Sequence, residues 1–365
     1  MSHSTPGSPE ASRIDHGTTD ASSPVGRYIV IGAGAIGGSI GARLAEAGHQ
    51  VVLVARGAQY HALESGGLRF RTPDGERVHH LPVVDGPDAL GTLRPDDVLV
   101  LTVKTQDSEA ALDTWGPVPV AGGGTAAARL PVLCVQNGVE SQRIALRRFS
   151  RVYGVCVWLP SNFVEPGVVS APGAPLTGVL HLGRHPHGVD DTLARIAADL
   201  ESARFGAPVV ADVARWQYAK LLGNLANAVN ALCGTATGEE GRWLDGQVRA
   251  EGEAVLRAAG IPNASGREQQ EAVGDKVRWT GASEGSSWQS LTRGTGSIEA
   301  DYLNGEIALL GRLHGVATPV NELVQRMATT FARERQPAGS LPVAELARAA
   351  AQAVAAASDS SAESA

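Results

Sequence analysis

Four polar side chains interrupt an apolar stretch whose spacing predicts a helix. The segment WQYAKLLGNLANAVN, residues 216–230, carries Lys220, Asn224, Asn227 and Asn230 among Leu, Ala and Val. At about 100° per residue, the first three fall within about 60° on one face, and Asn230 lies about 80° from Lys220. Each Asn costs about 0.5 kcal/mol relative to Ala inside a helix. Two readings stay open: the face lines a substrate site, or it hydrogen-bonds to neighbouring helices.

An acidic residue and a serine follow in the stretch SSWQSLTRGTGSIEADYLNG. Ser287 lies in a segment rich in Gly and Ser, which predicts a loop. Glu299 is expected in the first turn of a helix over 298–314, with Ser297 as N-cap, where the helix dipole favours a carboxylate. Such a carboxylate could orient an ammonium group, or it could be only a device of the helix end.

A glycine-rich turn supplies the third candidate. Gly32, Gly34 and Gly37 have GxGxxG spacing after an apolar strand, at the start of an amphipathic helix that leads to a second strand. The first Gly permits the tight turn, the second lets the backbone approach a pyrophosphate, and the third allows close packing of helix on strand. The helix N-terminus at Ala35 and Ile36 would face the phosphates. The pattern predicts a dinucleotide site.

The end of the second strand indicates which dinucleotide binds. An NAD site usually places Asp or Glu there for the ribose 2′-hydroxyl, but this chain has Ala55 and Arg56. A guanidinium can pair bidentately with a 2′-phosphate, whereas a carboxylate would repel it. We therefore predict NADPH as the cofactor, the alternative being that Arg56 is a solvated loop residue.

Two more polar side chains follow predicted strands. Lys104 lies at the end of LTVKTQD and Asn137 at the end of CVQNGVE. In an open parallel sheet, ligands bind at this edge. Lys104 could pair with a cofactor phosphate or a substrate carboxylate. The Asn137 amide could bond both cofactor and substrate, although QNG is also a good turn sequence.

The elements that must position these residues change along the chain. Continuous Val- and Ile-rich runs predict parallel strands buried on both faces at 28–31, 51–54, 98–103 and 132–135. The runs VYGVCVWL, GVVSA and GVLHLG are expected to finish the sheet with mixed strands. Helical periods follow at 189–205, 212–233, 246–259, 266–279, 298–314 and 319–334.

The pattern predicts an α/β fold: an N-terminal Rossmann-type dinucleotide-binding domain followed by an all-helical C-terminal domain. We expect a disordered extension over 1–26, the NADP-binding domain over 27–187, the helical substrate and catalytic domain over 188–335, and an Ala-rich helix and tail over 336–365. The last ten residues, rich in Ser, Ala and acid, are expected to be disordered.

Composition excludes several other classes. The net charge of -7 makes nucleic acid an unexpected partner. No apolar run approaches the roughly 20 residues that span a bilayer, and no basic segment precedes an apolar one, so we expect a cytoplasmic protein without a membrane partner. The three Cys are widely spaced and predict buried thiols rather than a metal site. A monomer and a homodimer are both compatible with the sequence.

Taken together, GAGAIGG, VKTQ, QNG, WQYAKLLGN and SSWQS with IEADYLNGEIALLGRLHGVATPVN resemble the ketopantoate reductase (2-dehydropantoate 2-reductase) family. The motifs occur in family order over residues 27–330. The resemblance implies a Rossmann domain joined to a helical domain like that of 6-phosphogluconate dehydrogenase. It also implies NADPH-dependent reduction of 2-dehydropantoate, a small 2-oxo acid, to (R)-pantoate in the interdomain cleft, on the pathway to pantothenate.

By that resemblance, Lys220 matches the catalytic lysine, which would protonate the C2 oxygen as hydride arrives from C4 of the nicotinamide. A lysine suits this role because its proton can leave, unlike that of a guanidinium. Glu299 matches the acidic partner of the lysine and a cofactor contact. Asn224 and Ser287 match substrate-binding residues. Asn137 and Lys104 match residues near the cofactor, with Asn137 also close to the substrate.

The chain departs from the family pattern on the substrate side. Ala228 stands where a second Asn is common, with Asn227 and Asn230 only nearby, and we take Asn227 as the shifted substrate contact. SSMxQD becomes SSWQSL, and Gly296 replaces a frequent Arg. Reduction of another 2-oxo acid or ketone is therefore the main alternative. An opine-type reductive amination lacks an identifiable amine site. A non-catalytic NADPH-binding regulator would not need Lys220 and Glu299.

Overall fold

The structure is a computed structural model that describes residues 26–235, 238–279 and 285–363. The predicted N-terminal extension therefore lies outside the described residues, apart from Gly26. None of the helices in these ranges is long and apolar enough to cross a membrane.

Strands predominate in the first half of the chain and helices in the second. In chain order, the described strands are β1 Arg27–Ile31, β2 Val51–Val54, β3 Leu68–Thr72, β4 Gly75–His79, β5 Val83–Val84, β6 Asp97–Leu101, β7 Val132–Cys134, β8 Val152–Trp158, β9 Asn162–Glu165, β10 Val168–Ser170, β11 Ala174–Pro175, β12 Gly178–Arg184, β13 Phe205–Gly206 and β14 Val277–Arg278. The helices are α1 Ala35–Glu46, α2 Gly57–Gly66, α3 Ser108–Trp115, α4 Ala126–Arg129, α5 Glu140–Leu146, α6 Asp191–Ser202, α7 Val213–Asn224, α8 Ala226–Cys233, α9 Glu239–Ala258, α10 Gly266–Ala272, α11 Ser286–Thr292, α12 Asn304–His314, α13 Pro319–Glu334 and α14 Val343–Glu363.

An eight-stranded sheet forms the centre of the first half, in the order β13-β12-β8-β7-β6-β1-β2-β5. From β5 to β8 every neighbouring pair is parallel, and β12 pairs antiparallel with β8. Helices cover both faces, which is why the parallel strands are continuous apolar runs rather than alternating ones. The predicted α/β class, with a Rossmann-type first half and a helical second half, is confirmed.

One predicted strand belongs elsewhere. The run GVVSA was expected to finish the main sheet, but β10 lies in a separate four-stranded sheet ordered β4-β3-β10-β9. That sheet packs on α1, where a Cβ at Gly38 would lie 2.9 Å from a methyl group of Val169. The prediction was wrong because β10 pairs with β3, some 100 residues earlier, and a short apolar run does not reveal so distant a partner.

The apolar side chains form cores on the two faces of the sheet and a third core in the helical half. Leu193, Ile196 and Leu200 of α6, with Phe205 of β13, belong to a core of the sheet. We predicted that the helical domain starts at residue 188, but the segment 188–211 therefore packs with the sheet. Helical periodicity identifies an apolar face, and it does not identify the core that this face covers.

The helix predicted over 212–233 is divided at Leu225 into α7 and α8. Leu225 keeps helical dihedrals (φ −62°, ψ −34°), so the chain continues in nearly the same direction. The buried amide of Asn304 donates to the Leu225 carbonyl at 3.1 Å. A side chain from α12 thus bonds the backbone at the break, a long-range effect that the local sequence did not indicate.

Two other helices also have boundaries that differ from the predicted ones. The predicted helix over 246–259 begins earlier, at Glu239, and the one over 266–279 ends at Ala272. A 3-10 turn and the short β14 follow α10, and β14 pairs antiparallel with β11. The Ala-rich C-terminal helix is present, but it extends to Glu363, through most of the expected disordered tail.

Candidate active site

The glycine-rich turn has the geometry that the spacing predicts. Gly32 adopts a φ of +108°, and the backbone N–H groups of Gly32 and Ala33 donate to the Val54 carbonyl at 3.1 and 3.0 Å. A Cβ at Gly37 would lie 2.2 Å from the Gly32 carbonyl oxygen, so only Gly permits this contact. At Gly34 a Cβ would meet nothing within 4 Å. The turn therefore leaves open space where the backbone can approach a phosphate.

Arg56 lies where the sequence placed it, just after β2 and directly before α2. It is exposed, and it does not line the cavity described below. The Gly32 turn hydrogen-bonds to the end of β2. The adenosine ribose of a dinucleotide on that turn would therefore lie on the same side as Arg56. The role of Arg56 toward a 2′-phosphate stays a prediction.

Lys104 and Asn137 both lie at the carboxyl edge of the sheet, after β6 and β7, and both line a cavity between the sheet and the helices. The Lys104 ammonium donates to the hydroxyl of Ser290 in α11. Burial lowers the pKa of Lys104, and the nearby Glu299 carboxylate opposes that shift. The sheet edge and the helical half therefore meet at Lys104.

Lys220 projects from α7 into the same cavity. Its ammonium donates to Oδ1 of Asn137 at 2.8 Å and to the backbone carbonyl of Val157, and it lies 5.4 Å from the ring centroid of Trp158. Burial lowers the pKa of Lys220, while Cys156 and Glu299 act in the opposite direction. The structure thus joins two residues, Lys220 and Asn137, that lie 83 positions apart in the chain.

Asn224 and Asn227 also line the cavity. The Nδ2 of Asn224 is buried and has no hydrogen-bond partner among the described residues. Ala228 is 1% exposed and lies in the helical core, so Asn227 is the residue of this turn that faces the cavity. Asn230 does not line it, and its carbonyl accepts from Gly234. The face defined by Lys220, Asn224 and Asn227 is therefore a cavity wall.

Glu299 opens a 3-10 turn rather than the first turn of a long α-helix, which starts only at Asn304. The predicted N-cap, Ser297, is wrong: Ile298 occupies that position, and the Ser297 hydroxyl instead accepts from Gln106. Glu299 is 7% exposed, and its Oε1 accepts from the N–H and hydroxyl of Thr105 at 3.1 and 3.2 Å.

Ser287 was expected in a loop, but it lies in the first turn of α11. Its side chain is 2% exposed and its hydroxyl has no hydrogen-bond partner within the described ranges. The adjacent Ser286, not Ser287, lines the cavity. The loop prediction is wrong because the Gly- and Ser-rich composition around Ser287 does not prevent the short helix α11 from forming.

Six polar side chains of the predicted site line one cavity of about 290 Å³ between the sheet edge and the helices: Lys104, Asn137, Lys220, Asn224, Asn227 and Glu299. Sequence reasoning missed several residues that line it; among them are Thr102, Gln136, Ser161, Ser286, Gln289 and Arg293. Ser286 and Gln289 of α11 and Arg293, which directly follows it, have the spacing i, i+3 and i+7, so helical periodicity over residues 286–293 would have identified them. No group of residues that could hold a metal ion occurs in the described part of the chain.

Comparison with known proteins places this architecture in a family. A model described as "Ketopantoate reductase PanE/ApbA" matches residues 28–187, and one described as "Ketopantoate reductase PanE/ApbA C terminal" matches residues 212–332. A 2-dehydropantoate 2-reductase of Caulobacter vibrioides is 30% identical over 310 residues, which cover 81% of this chain and 95% of the relative.

Solved structures agree with these matches. The crystal structure of a PanE/ApbA family ketopantoate reductase from Ralstonia eutropha JMP134 is 26% identical, with a TM-score of 0.69, and covers 85% of this chain and 99% of its own. D-mandelate dehydrogenase in a ternary structure with NADH and anilino(oxo)acetate is 18% identical, with a TM-score of 0.72 and coverage of 85% and 99%. At that identity, the second likeness concerns the fold alone.

Proposed function

The chain belongs to the ketopantoate reductase family, and on that premise we propose that it reduces the C2 ketone of 2-dehydropantoate with NADPH, using Lys220 as the proton donor. The observation that carries the proposal is the buried Lys220 ammonium, which lies in the same cavity as the glycine-rich turn. Proximity of a proton donor to a dinucleotide site is what ketone reduction requires, and a site that only senses a dinucleotide does not need it.

The surroundings of Lys220 suit proton transfer. An ammonium has three N–H groups, and two of them point to Asn137 Oδ1 and the Val157 carbonyl. The third is left for the substrate oxygen. Because burial lowers the pKa of Lys220, the proton leaves more readily than from an exposed lysine, and the nearby Glu299 favours the charged form that must be present before transfer.

The residues at the sheet edge fit a nicotinamide dinucleotide. Open space at Gly34 allows the backbone to approach a diphosphate, and Lys104 and Asn137 lie where the ribose and nicotinamide would follow. Arg56 is the proposed partner of a 2′-phosphate, which makes NADPH the proposed cofactor. When bound, the reduced nicotinamide supplies the hydride.

The helical wall is the proposed substrate side. The unpaired Nδ2 of Asn224 can donate to a carboxylate or hydroxyl oxygen of the substrate, since a buried donor without a partner is costly until a ligand pairs with it. Asn227 adds a second amide. Ser287, the other proposed substrate contact, holds an unpaired hydroxyl next in sequence to Ser286, which lines the cavity.

A second candidate is reduction of another 2-oxo acid by the same machinery. The helical wall of the cavity favours this candidate, because Asn227 faces the cavity whereas Ala228 lies in the core. This displacement changes where a hydroxyl group of the substrate would find its partner, without touching Lys220 or the glycine-rich turn.

Steady-state reduction assays separate the candidates. Purified protein is given NADPH or NADH with 2-dehydropantoate and with a panel of linear, branched and aromatic 2-oxo acids, and loss of the reduced-nicotinamide absorbance is followed. We expect the highest kcat/KM with NADPH and 2-dehydropantoate. A faster reaction with another 2-oxo acid would establish the second candidate, a preference for NADH would refute the role of Arg56, and failure to reduce any ketone would refute the proposal.

A further inference from the structure

Arg293 directly follows α11, lines the cavity and has no part in the function proposed above. Ser286, Gln289 and Arg293 recur at i, i+3 and i+7 and all line the cavity. The guanidinium carbon of Arg293 lies 5.3 Å from the ring centroid of Phe163. Gln289 Nε2 donates to Asn162 Oδ1 at 2.7 Å. The end of α11 is thus held against β9, across the cavity from its own half of the chain.

The segment before β9 connects this contact to the glycine-rich turn. Ser161 lies two residues before Phe163, and its hydroxyl donates to the Ala35 carbonyl at 2.8 Å. Gly34, Ala35 and Ser161 line the same cavity as Arg293. Arg293 and the start of α1 therefore line one cavity, and β9 with the segment before it connects them.

The charges around the cavity favour an anion. Its charged lining residues are three cations, Lys104, Lys220 and Arg293, and one carboxylate, Glu299, in a chain of net charge -7. Lys104 and Lys220 donate to Ser290 and to Asn137. Arg293 makes no ion pair within the described residues, and burial lowers its pKa with no carboxylate to offset the effect. Its charge is left for a ligand.

We propose that Arg293 binds the diphosphate of the nicotinamide dinucleotide from the helical half, opposite Gly34 and Ala35. The planar guanidinium can donate two N–H groups to oxygens of the diphosphate, and stacking on Phe163 holds its plane in place. This inference rests on the proposed function, because it requires a dinucleotide on the glycine-rich turn. It adds that both halves of the chain hold the cofactor.

The proposed contacts predict different effects of Arg293 and Arg56 on the binding of NADPH and NADH. NADPH and NADH share the diphosphate, so Arg293→Ala is expected to weaken both by the same factor, about 10- to 100-fold in Kd. Only NADPH has the 2′-phosphate, so Arg56→Ala is expected to weaken NADPH alone. Arg293→Lys should retain part of the affinity, because it keeps the charge and loses the two-pronged geometry.

The test is a fluorescence titration of NADPH and NADH into the full chain without substrate. Arg267→Ala serves as the matched control, because its exposed side chain carries the same charge and, among the described residues, forms an ion pair only with Glu271 in α10. Thermal melting of each variant checks that the fold is intact. Weakening by Arg293→Ala should shrink with added salt, since the lost interaction is ionic.

Each other result of the titration leads to a different conclusion. Equal Kd values for wild type and Arg293→Ala would overturn the inference and leave the proposed function standing. If these Kd values are equal and the KM of the 2-oxo acid rises at saturating NADPH, Arg293 binds the substrate carboxylate instead. If the wild-type chain binds neither dinucleotide, the proposed function fails, and this inference fails with it.

Discussion

The two sides of the cavity are built in opposite ways. In the glycine-rich turn on the sheet side, the backbone is closely packed: a Cβ at Gly37 would lie 2.2 Å from the Gly32 carbonyl oxygen. On the helical side, Asn224 holds a buried Nδ2 that no described residue satisfies. Backbone packing alone fixes the turn, whereas the amide of Asn224 needs a ligand to pair with it. We infer that the glycine-rich turn fits the part of a ligand that stays constant and the cavity face of α7 and α8 the part that varies.

The largest effect is expected at Lys220, where the two sides meet. Lys220→Ala should lower kcat for ketone reduction by about 100-fold or more, the usual contribution of a general acid, while the Kd of NADPH changes little. Steady-state assays with dinucleotide titration measure both. Lys276→Ala is the control, because the exposed Lys276 ammonium donates to the Ala272 carbonyl and to no other group in the described part of the chain. Full activity of Lys220→Ala would show that the proton comes from another group.

Two glycines test where the glycine-rich turn is closely packed and where it leaves space for a ligand. Gly34→Ala places a methyl group in open space, so it should leave thermal stability unchanged and weaken NADPH by about 10- to 100-fold, because the group occupies space that the diphosphate needs. Gly37→Ala should instead destabilise the fold by about 1–3 kcal/mol or more through overpacking. Melting curves and dinucleotide titrations distinguish the two. Loss of stability in Gly34→Ala, or unchanged NADPH affinity, would contradict this account.

Two asparagines test whether the helical side is open. Asn224→Ala removes an unpaired amide, so stability should hold or rise slightly, while the KM of the 2-oxo acid rises about 2- to 10-fold. Asn304 is the matched control: its amide donates to the Leu225 carbonyl and to Asn321 Oδ1, and Asn304→Ala should cost about 1–3 kcal/mol. Similar destabilisation by both variants would mean that Asn224 serves the fold.

The sequence predicted the features that depend on local contacts better than those that depend on distant ones. The glycine spacing and the Val-rich runs indicated the turn and the parallel strands, because strand, turn and helix are adjacent in the chain and their constraints are local. The lining face of α7 and α8 followed from helical geometry. The sequence did not predict the hydrogen bond from Lys220 to Asn137, because that bond depends on how a helix packs on a sheet edge 83 positions away.

Where the sequence misled, the deciding contact was also distant. The packing of α6 on the sheet, the pairing of β10 with β3 and the bond from Asn304 to the Leu225 carbonyl all join segments far apart in the chain. Arg293 was missed for a different reason: the Gly- and Ser-rich composition around Ser287 predicts a loop, and a loop has no regular face on which Ser286, Gln289 and Arg293 would align.

The pH dependence of ketone reduction tests the central claim, that Lys220 donates the proton, most directly. Reduction needs the protonated amine, so activity is present below the pKa of Lys220 and is lost as pH rises through it; burial moves that loss to a lower pH than for an exposed lysine. With saturating NADPH, we predict an alkaline limb in kcat/KM for the wild type that is absent in Lys220→Ala. The same alkaline limb in both proteins would contradict the claim.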